Sequence, residues 1–180
     1  MTRIFTVVAL FALVFMLATA GLGLSLDLHH NLDNPAVKGW ARVHRLSGVA
    51  AAICVVFAHS IVVTYFVGTS RWCKEVCETY RLDPQYVRRS NRLKRRTFPW
   101  AVTGMLAVVG IVALGGAADP ATLRAGTADW TIFHFLGALG GIGFIAVSFF
   151  LEWQTIAANH AVIDEIVAKV KEIRGENGTA

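Results

Sequence analysis

Four apolar runs, separated by polar segments, dominate the pattern of the chain. They cover about residues 4–26, 43–67, 99–117 and 130–153. Each run is close to the roughly 20 apolar residues that a helix needs to cross the hydrocarbon core of a bilayer. The pattern therefore predicts an all-α protein, an integral membrane bundle of four transmembrane helices within residues 1–153.

Prolines mark several of the predicted helix ends. Asn34-Pro35 and Asp119-Pro120 interrupt the helical pattern, because the residue before a proline disfavours the helical conformation. Pro99 suits the first turn of the third helix. In the first run, Ala18-Thr19-Ala20 imitates a signal cleavage site, yet the apolar residues continue to Leu26. We interpret this run as an uncleaved helix, with a cleaved signal as the alternative.

The segment after the fourth run, residues 154–180, has a different pattern. Charged residues lie around a stripe of mostly apolar residues with helical spacing, which is typical of an amphipathic helix. The stripe consists of Ile156, His160, Ile163, Val167 and Val170. We predict a separate amphipathic C-terminal helix on the cytoplasmic surface, followed by a frayed end.

Composition and charge agree with a membrane protein and indicate its orientation. The chain has 180 residues, of which 55% are hydrophobic, and a formal charge of +5. The loop from Thr69 to Thr97 holds nine of the basic residues and only three acidic ones. By the positive-inside rule this loop is cytoplasmic, which also places both termini in the cytoplasm of a cell with the chain in its inner (plasma) membrane. Because the same rule explains the positive net charge, we do not expect a nucleic-acid partner. The expected partners of the helices are membrane lipids.

Histidines are the candidate functional residues of the apolar runs. His44 and His59 both lie in the second run, and fifteen residues of helix separate them by about 22 Å in depth and about 60° around the axis. Ionisable groups inside a span are costly and tend to face the bundle interior or a ligand. His134 lies one turn into the fourth run, at the same outer depth as His44.

Two imidazoles at one depth on separate helices can ligate one haem iron from opposite faces. His44 and His134 are therefore the candidate axial ligands of a b-type haem, which would also make them its metal-binding residues. Gly48 and Gly137, close to them in sequence, would leave room for a porphyrin. Arg42 and Arg45 would pair with its propionates. A structural role for these histidines, arginines and glycines is the alternative, and Gly137 with Gly141 also fits close helix packing.

The second run resembles a known family. Gly39-Trp40, Arg42, His44, Gly48, His59 and Tyr65-Phe66-x-Gly68 are similar to the haem-bearing helix of membrane b-type cytochromes, and His44 through His59 is similar to ferric-reductase-like haem helices. The resemblance covers about residues 39–68. It implies a haem b cofactor and a role in electron transport.

The resemblance has two departures. In cytochrome b helices the two histidine ligands are usually slightly closer in sequence than His44 and His59 are here. In addition, Ser148 and Phe149 occupy the positions where the partner helix is expected to carry a second histidine. The resemblance therefore implies one haem, on the outer side. His59 needs another role: a second haem with Met105, contact with a quinone headgroup, or a hydrogen bond to a backbone or hydroxyl group of a neighbouring helix.

Other polar groups give weaker hypotheses. His29, His30 and His44 form an alternative outer copper or zinc site, with His134, Asp27 or Asp33 as a further candidate ligand. Cys73 and Cys77 lie one helical turn apart and supply only half of a zinc site. We interpret Glu152 as an interfacial anchor.

These patterns lead to a functional prediction. Motifs for nucleotide binding or hydrolysis are not present, and no catalytic residue is identified. We predict a small subunit of a membrane redox assembly that passes electrons through one haem, with other redox subunits as partners and a quinone as a further candidate partner. A haem-free accessory subunit is the main alternative.

Overall fold

The computed structural model describes residues 1–27, 34–119 and 125–175. In these ranges the chain forms four long helices: α1 (Thr2–Asp27), α2 (Pro35–Thr79), α3 (Gln85–Ala118) and α4 (Thr131–Ile173). A short 3₁₀ segment, Ala125–Trp130, precedes α4. All four helices are long and apolar enough to cross a membrane, which agrees with the predicted number of four transmembrane helices.

Local sequence explains how α2 begins and how it connects to α3. Asn34 caps α2, because its side-chain oxygen accepts a hydrogen bond from the backbone N–H of Ala36 at 2.9 Å. Pro35 occupies the first position of the helix, where its missing N–H costs nothing. At the other end, residues 80–84 form a tight turn in which Arg81 has a positive φ of 54°.

This turn is much shorter than the cytoplasmic loop predicted from Thr69 to Thr97. Residues 69–79 belong to α2, and residues 85–97 belong to α3. Pro99, predicted in the first turn of the third helix, therefore lies inside α3 instead. The basic residues that suggested a loop therefore lie on two helices. Basic side chains are compatible with a helix, and only five residues of the predicted loop are irregular.

The helices form a bundle in which α1 and α3 each pack against both α2 and α4. As a result, α2 and α4 face each other across the bundle. We name the two ends of the bundle by their residues. The histidine end contains His44 and His134, and the basic end contains the turn formed by residues 80–84. The main core runs between these ends, with Phe5 and Met16 of α1 packed against residues such as Val55, Phe66 and Phe149.

The described part of α4 corrects the prediction of a separate C-terminal helix. It continues without interruption to Ile173, so residues 154–173 are its last turns. Its buried positions there are Thr155, Ile156, Asn159, Val162 and Ile166. Of the predicted stripe, Ile156 is buried and Ile163 and Val170 are partly buried, whereas His160 and Val167 are exposed. These turns pack against Cys73 and Cys77 of α2.

The outside of the bundle is apolar along the predicted spans. Large hydrophobic side chains are more than half exposed on every helix: Leu10 and Val14 on α1, Leu46 and Ile53 on α2, Leu106 on α3, and Phe133 on α4. A continuous apolar exterior is unusual in a soluble domain and is typical of a bundle surrounded by lipid.

Candidate functional site

The structure brings His44 and His134 together at the histidine end. His44 projects from α2 and His134 projects from α4, the two helices that face each other across the bundle. Their ring centroids are 6.3 Å apart, and the ring planes are inclined at 71°. Both rings are half-buried. The two predicted ligands therefore lie at one level.

Each ring is oriented by a backbone carbonyl of the neighbouring helix. Nδ1 of His44 lies 3.0 Å from the carbonyl oxygen of Thr19 in α1, and Nδ1 of His134 lies 3.2 Å from the carbonyl oxygen of Ile111 in α3. A carbonyl only accepts, so each Nδ1 must donate its hydrogen. In the neutral ring this leaves Nε2 with a free lone pair. Histidine ligands of metals are commonly oriented in this way.

A glycine beside each ring permits this close approach. A Cβ placed on Gly23 would lie 2.8 Å from Cε1 of His44, and a Cβ placed on Gly115 would lie 2.8 Å from Cε1 of His134. Real Cβ atoms essentially never come so close. Each glycine also lies four residues after the residue whose carbonyl accepts the hydrogen bond. The same local arrangement thus occurs twice, between α1 and α2 and between α3 and α4.

The spacing of the rings is informative about ligands. A metal ion bonded at about 2 Å to Nε2 of two imidazoles on opposite sides holds their ring centres about 6 Å apart. The ring centroids of His44 and His134 are separated by a similar distance, 6.3 Å. Within residues 1–27, 34–119 and 125–175, no group of three or more histidine, cysteine or acidic side chains is placed to hold a metal ion. Chemically, then, the described site offers two nitrogen ligands.

The other residues predicted around this site have mixed positions. Arg42 is exposed. Arg45 is also exposed and forms an ion pair with Asp119, the residue that follows α3, with Nη1 and Oδ2 3.3 Å apart. Gly48 faces α1, because a Cβ there would meet only the methyl group of Thr19, at 3.8 Å. Gly137 faces Leu114 of α3, where a Cβ would come within 3.0 Å of Cδ1.

His59 lies nearer the basic end and has a different partner from any predicted. Its Nδ1 is 2.8 Å from Oε1 of Glu152 in α4, and both side chains are 0% exposed. Its ring also packs against Phe149, with centroids 4.7 Å apart, and against Gly104 of α3. Met105, proposed as a haem ligand with His59, instead has its sulfur 4.0 Å from the hydroxyl of Ser60. Glu152 is therefore a buried partner of His59, and its interpretation as an interfacial anchor was wrong.

The remaining metal hypotheses concern residues in other places. His29 and His30 lie outside the described residues, as does the connection that carries them. Cys73 and Cys77 are buried in a small apolar cluster with Val162 and Ile166. Burial raises the pKa of both thiols, which keeps them protonated near neutral pH. This environment favours a packing role for the two cysteines over metal binding.

Sequence reasoning missed the glycines that hold the histidines. Gly23, Gly104 and Gly115 each lie in the interior of an apolar helix, where glycine costs roughly 1 kcal/mol relative to alanine. Such a cost suggests that something packs closely against the backbone. The sequence carries this signal for several glycines, but it does not reveal which of them face a histidine.

Comparisons with models of protein families, with curated protein sequences and with solved structures found no match to this chain.

Proposed function

We propose that this chain is a multi-pass membrane protein that binds one b-type haem between His44 and His134 and passes electrons through it. The main observation that supports this proposal is the 6.3 Å separation of two imidazole rings whose Nδ1 atoms are both hydrogen-bonded to backbone carbonyls. Two imidazoles held in this way supply Nε2 atoms to one metal ion, and haem iron is the metal that proteins commonly bind with two histidines inside a membrane bundle.

The small residues of the histidine end support a flat ligand over a compact one. Near the rings, α1 and α3 carry few large side chains: Ala18, Ala20, Gly21 and Gly23 in α1, and Ala113, Gly115, Gly116, Ala117 and Ala118 in α3. Of these residues, Gly23 and Gly115 contact the rings, whereas Ala18, Gly21, Ala113 and Gly116 are exposed on the outside of the bundle. Small residues there let helices separate slightly or approach a ring closely, and both adjustments suit a porphyrin between α2 and α4.

The chain's own residues have distinct roles in this proposal. His44 and His134 hold the iron, and the carbonyls of Thr19 and Ile111 fix the orientation of the two rings and increase the basicity of Nε2. Arg42 and Arg45 supply guanidinium groups for the propionates. The bound haem supplies reversible one-electron chemistry, whose potential depends on the axial ligands and on burial.

The proposed orientation follows from charge. The basic end, with the α2–α3 turn, faces the cytoplasm together with both termini, and the histidine end faces the outer side of the inner membrane. The chain contains no second carrier in this proposal, so it exchanges electrons with other membrane redox subunits or with a quinone.

The test is the visible spectrum of the protein purified from cells that have an adequate haem supply. We expect a Soret band that shifts on reduction, and its loss in both His44→Ala and His134→Ala. His160→Ala is the matched control, because His160 is exposed near the basic end and pairs only with Asp164 on its own helix. That variant should retain the full band.

Two results would overturn the proposal. Wild-type protein that folds normally but lacks any Soret band would favour the haem-free accessory subunit. A band that persists in both histidine variants would place the haem elsewhere. Elemental analysis of the same samples for copper and zinc, before and after replacing His29 and His30, would then test the remaining metal hypothesis.

A further inference from the structure

A second polar site lies inside the bundle, separate from the His44–His134 site. It is centred on the pair formed by His59 and Glu152, in which neither side chain has any exposed surface. A hydrogen bond of 2.8 Å between Nδ1 and Oε1 requires at least one shared proton. Histidines and carboxylates buried in membrane-spanning helices are commonly proton carriers or ligand contacts.

The pair has unused hydrogen-bonding capacity. Nε2 of His59 and Oε2 of Glu152 are buried and have no partner among the described residues. Buried polar atoms are nearly always hydrogen-bonded, and internal water molecules provide the partner where protein atoms do not. Nε2 lies against the backbone of Gly104 in α3, so Oε2 of Glu152 is the atom of the pair that indicates an internal water molecule.

Polar groups continue from this pair toward the basic end along one face of α4. Thr155 and Asn159 follow Glu152 at intervals of three and four residues, and both are buried. The hydroxyl of Thr155 lies 2.8 Å from that of Thr97 in α3. Asn159 donates from Nδ2 to the hydroxyls of Tyr65 at 3.2 Å and Thr69 at 3.1 Å, and its Oδ1 is buried without a described partner.

The two unpartnered acceptors lie at the two ends of this polar face. Glu152 and Asn159 are seven residues apart, which corresponds to about 10 Å along a helix. A few water molecules between them would satisfy Oε2 and Oδ1 together. Tyr65 and Thr69 are only half-buried, so they connect the line to the surface near the basic end.

In the opposite direction the interior is mostly apolar. Above the pair, toward the histidine end, the buried residues on α2 and α4 include Ala51, Val55 and Ile145. Ser148, one turn from Glu152 on that side, is also buried, but its hydroxyl donates to the carbonyl of Phe144 in its own helix. The hydrogen bonds that join buried polar side chains of α4 to other helices therefore extend from the pair toward the basic end.

We infer that the His59–Glu152 pair is a proton-exchange site, connected to the basic end by internal water along the Glu152–Asn159 face of α4. In each exchange one proton enters from solvent at the basic end, and one proton leaves the pair by the same route, so the charge of the site is unchanged. This inference does not require haem at the histidine end.

The experiment measures how fast the ring N–H of His59 exchanges with water. Protein labelled with ¹⁵N at histidine is studied by NMR in detergent micelles under reducing conditions, and the His59 signal is assigned by its loss in His59→Gln. We expect Asn159→Leu to slow this exchange about tenfold or more, because leucine removes the polar partners that hold the water. Glu152→Gln should also slow it, since an amide does not accept the proton.

The matched control is Thr103→Val. Thr103 adjoins Gly104 of α3 but is exposed on the outer face, and its hydroxyl bonds only to its own helix. Its replacement should leave the exchange rate unchanged. The ring signals of His44 and His134 report whether each variant is folded.

Several outcomes would overturn the inference. One is an Asn159→Leu protein that is folded and exchanges as fast as wild type. Another is a Glu152→Gln protein with wild-type exchange, which would remove the carboxylate from the route. A third is a wild-type ring N–H that exchanges no faster than the buried backbone amides of α4, which would make the pair a purely structural link between α2 and α4.

Discussion

At the scale of single residues, every histidine of the bundle interior lies against a glycine of a neighbouring helix. Gly23 contacts His44, Gly104 contacts His59 and Gly115 contacts His134. An imidazole is broad and flat, and a backbone without a Cβ lets it reach a carbonyl or a carboxylate beyond the helix surface. The glycines therefore determine where the rings lie, although they contribute no chemistry themselves.

Gly104→Ala tests this requirement. A Cβ on Gly104 would overlap the ring of His59, so we expect a loss of about 1 to 3 kcal/mol in the free energy of unfolding. The control is Gly110→Ala on the same helix, which has nothing within 4 Å of its Cβ position and should gain up to about 1 kcal/mol. Thermal unfolding in detergent measures both. Equal stability of the two variants would contradict the proposed packing.

The buried cysteines give a second prediction at this scale. Desolvation raises the pKa of the Cys73 and Cys77 thiols in the folded protein. Stability from this burial is therefore complete below the pKa of the unfolded thiol and falls as the pH rises through the folded pKa. Maleimide should label both slowly at neutral pH, more rapidly at higher pH and fully in denaturant. A cysteine introduced at the exposed Gln85 should react at once, and rapid labelling of Cys73 in folded protein would contradict its burial.

At the scale of elements, the length of α4 is the main difference from the sequence pattern. A surface helix and a buried helix extension both show apolar residues at helical spacing, and the pattern alone does not decide which residues face a neighbour. In the structure the last turns of α4 pack against the ends of α2 and α3 and form a cluster with Cys73 and Cys77. On the outside of the bundle, an ion pair joins α3 to these last turns of α4. Nη2 of Arg89 lies 2.8 Å from Oε1 of Glu165.

Two adjacent residues of α4 test this packing. Ile166 is fully buried, and Ile166→Ala should destabilise the protein by about 2 to 5 kcal/mol and make the basic end sensitive to protease. Val167 is exposed, so Val167→Ala should have little effect. In a surface amphipathic helix with the stripe predicted from sequence, Val167→Ala would destabilise the protein more than Ile166→Ala. Thermal unfolding and limited proteolysis of the two variants separate these cases.

At the scale of the whole molecule, charge and polarity divide the bundle into two unlike ends. The basic residues lie around the α2–α3 turn, whereas the histidine end has small residues and the paired rings. The proposed haem lies at one end, and the polar face of α4 leads to the other. The apolar residues between them keep the two sites separate, so each can be altered without the other.

Orientation in the membrane is the prediction at this scale. Single cysteines are placed at Gln85, in the basic end, and at Gly126, in the 3₁₀ segment before α4. The positive-inside rule predicts that an impermeant thiol reagent labels intact cells at position 126 and not at position 85. In broken cells the reagent should label both positions. Labelling of position 85 in intact cells would reverse the proposed topology.

The sequence by itself determined the features that depend on local pattern. Runs of apolar residues set the number of helices, Asn34-Pro35 marked the start of α2, and the depths of His44 and His134 followed from helical rise. Pro99 did not mark the start of α3, because it lies inside that helix. Tertiary structure alone decided which side chains meet. Glu152 lies 93 residues from His59 in sequence, and its contact depends on how α2 and α4 are rotated about their axes. That rotation results from packing against α1 and α3, and no local sequence pattern predicts it.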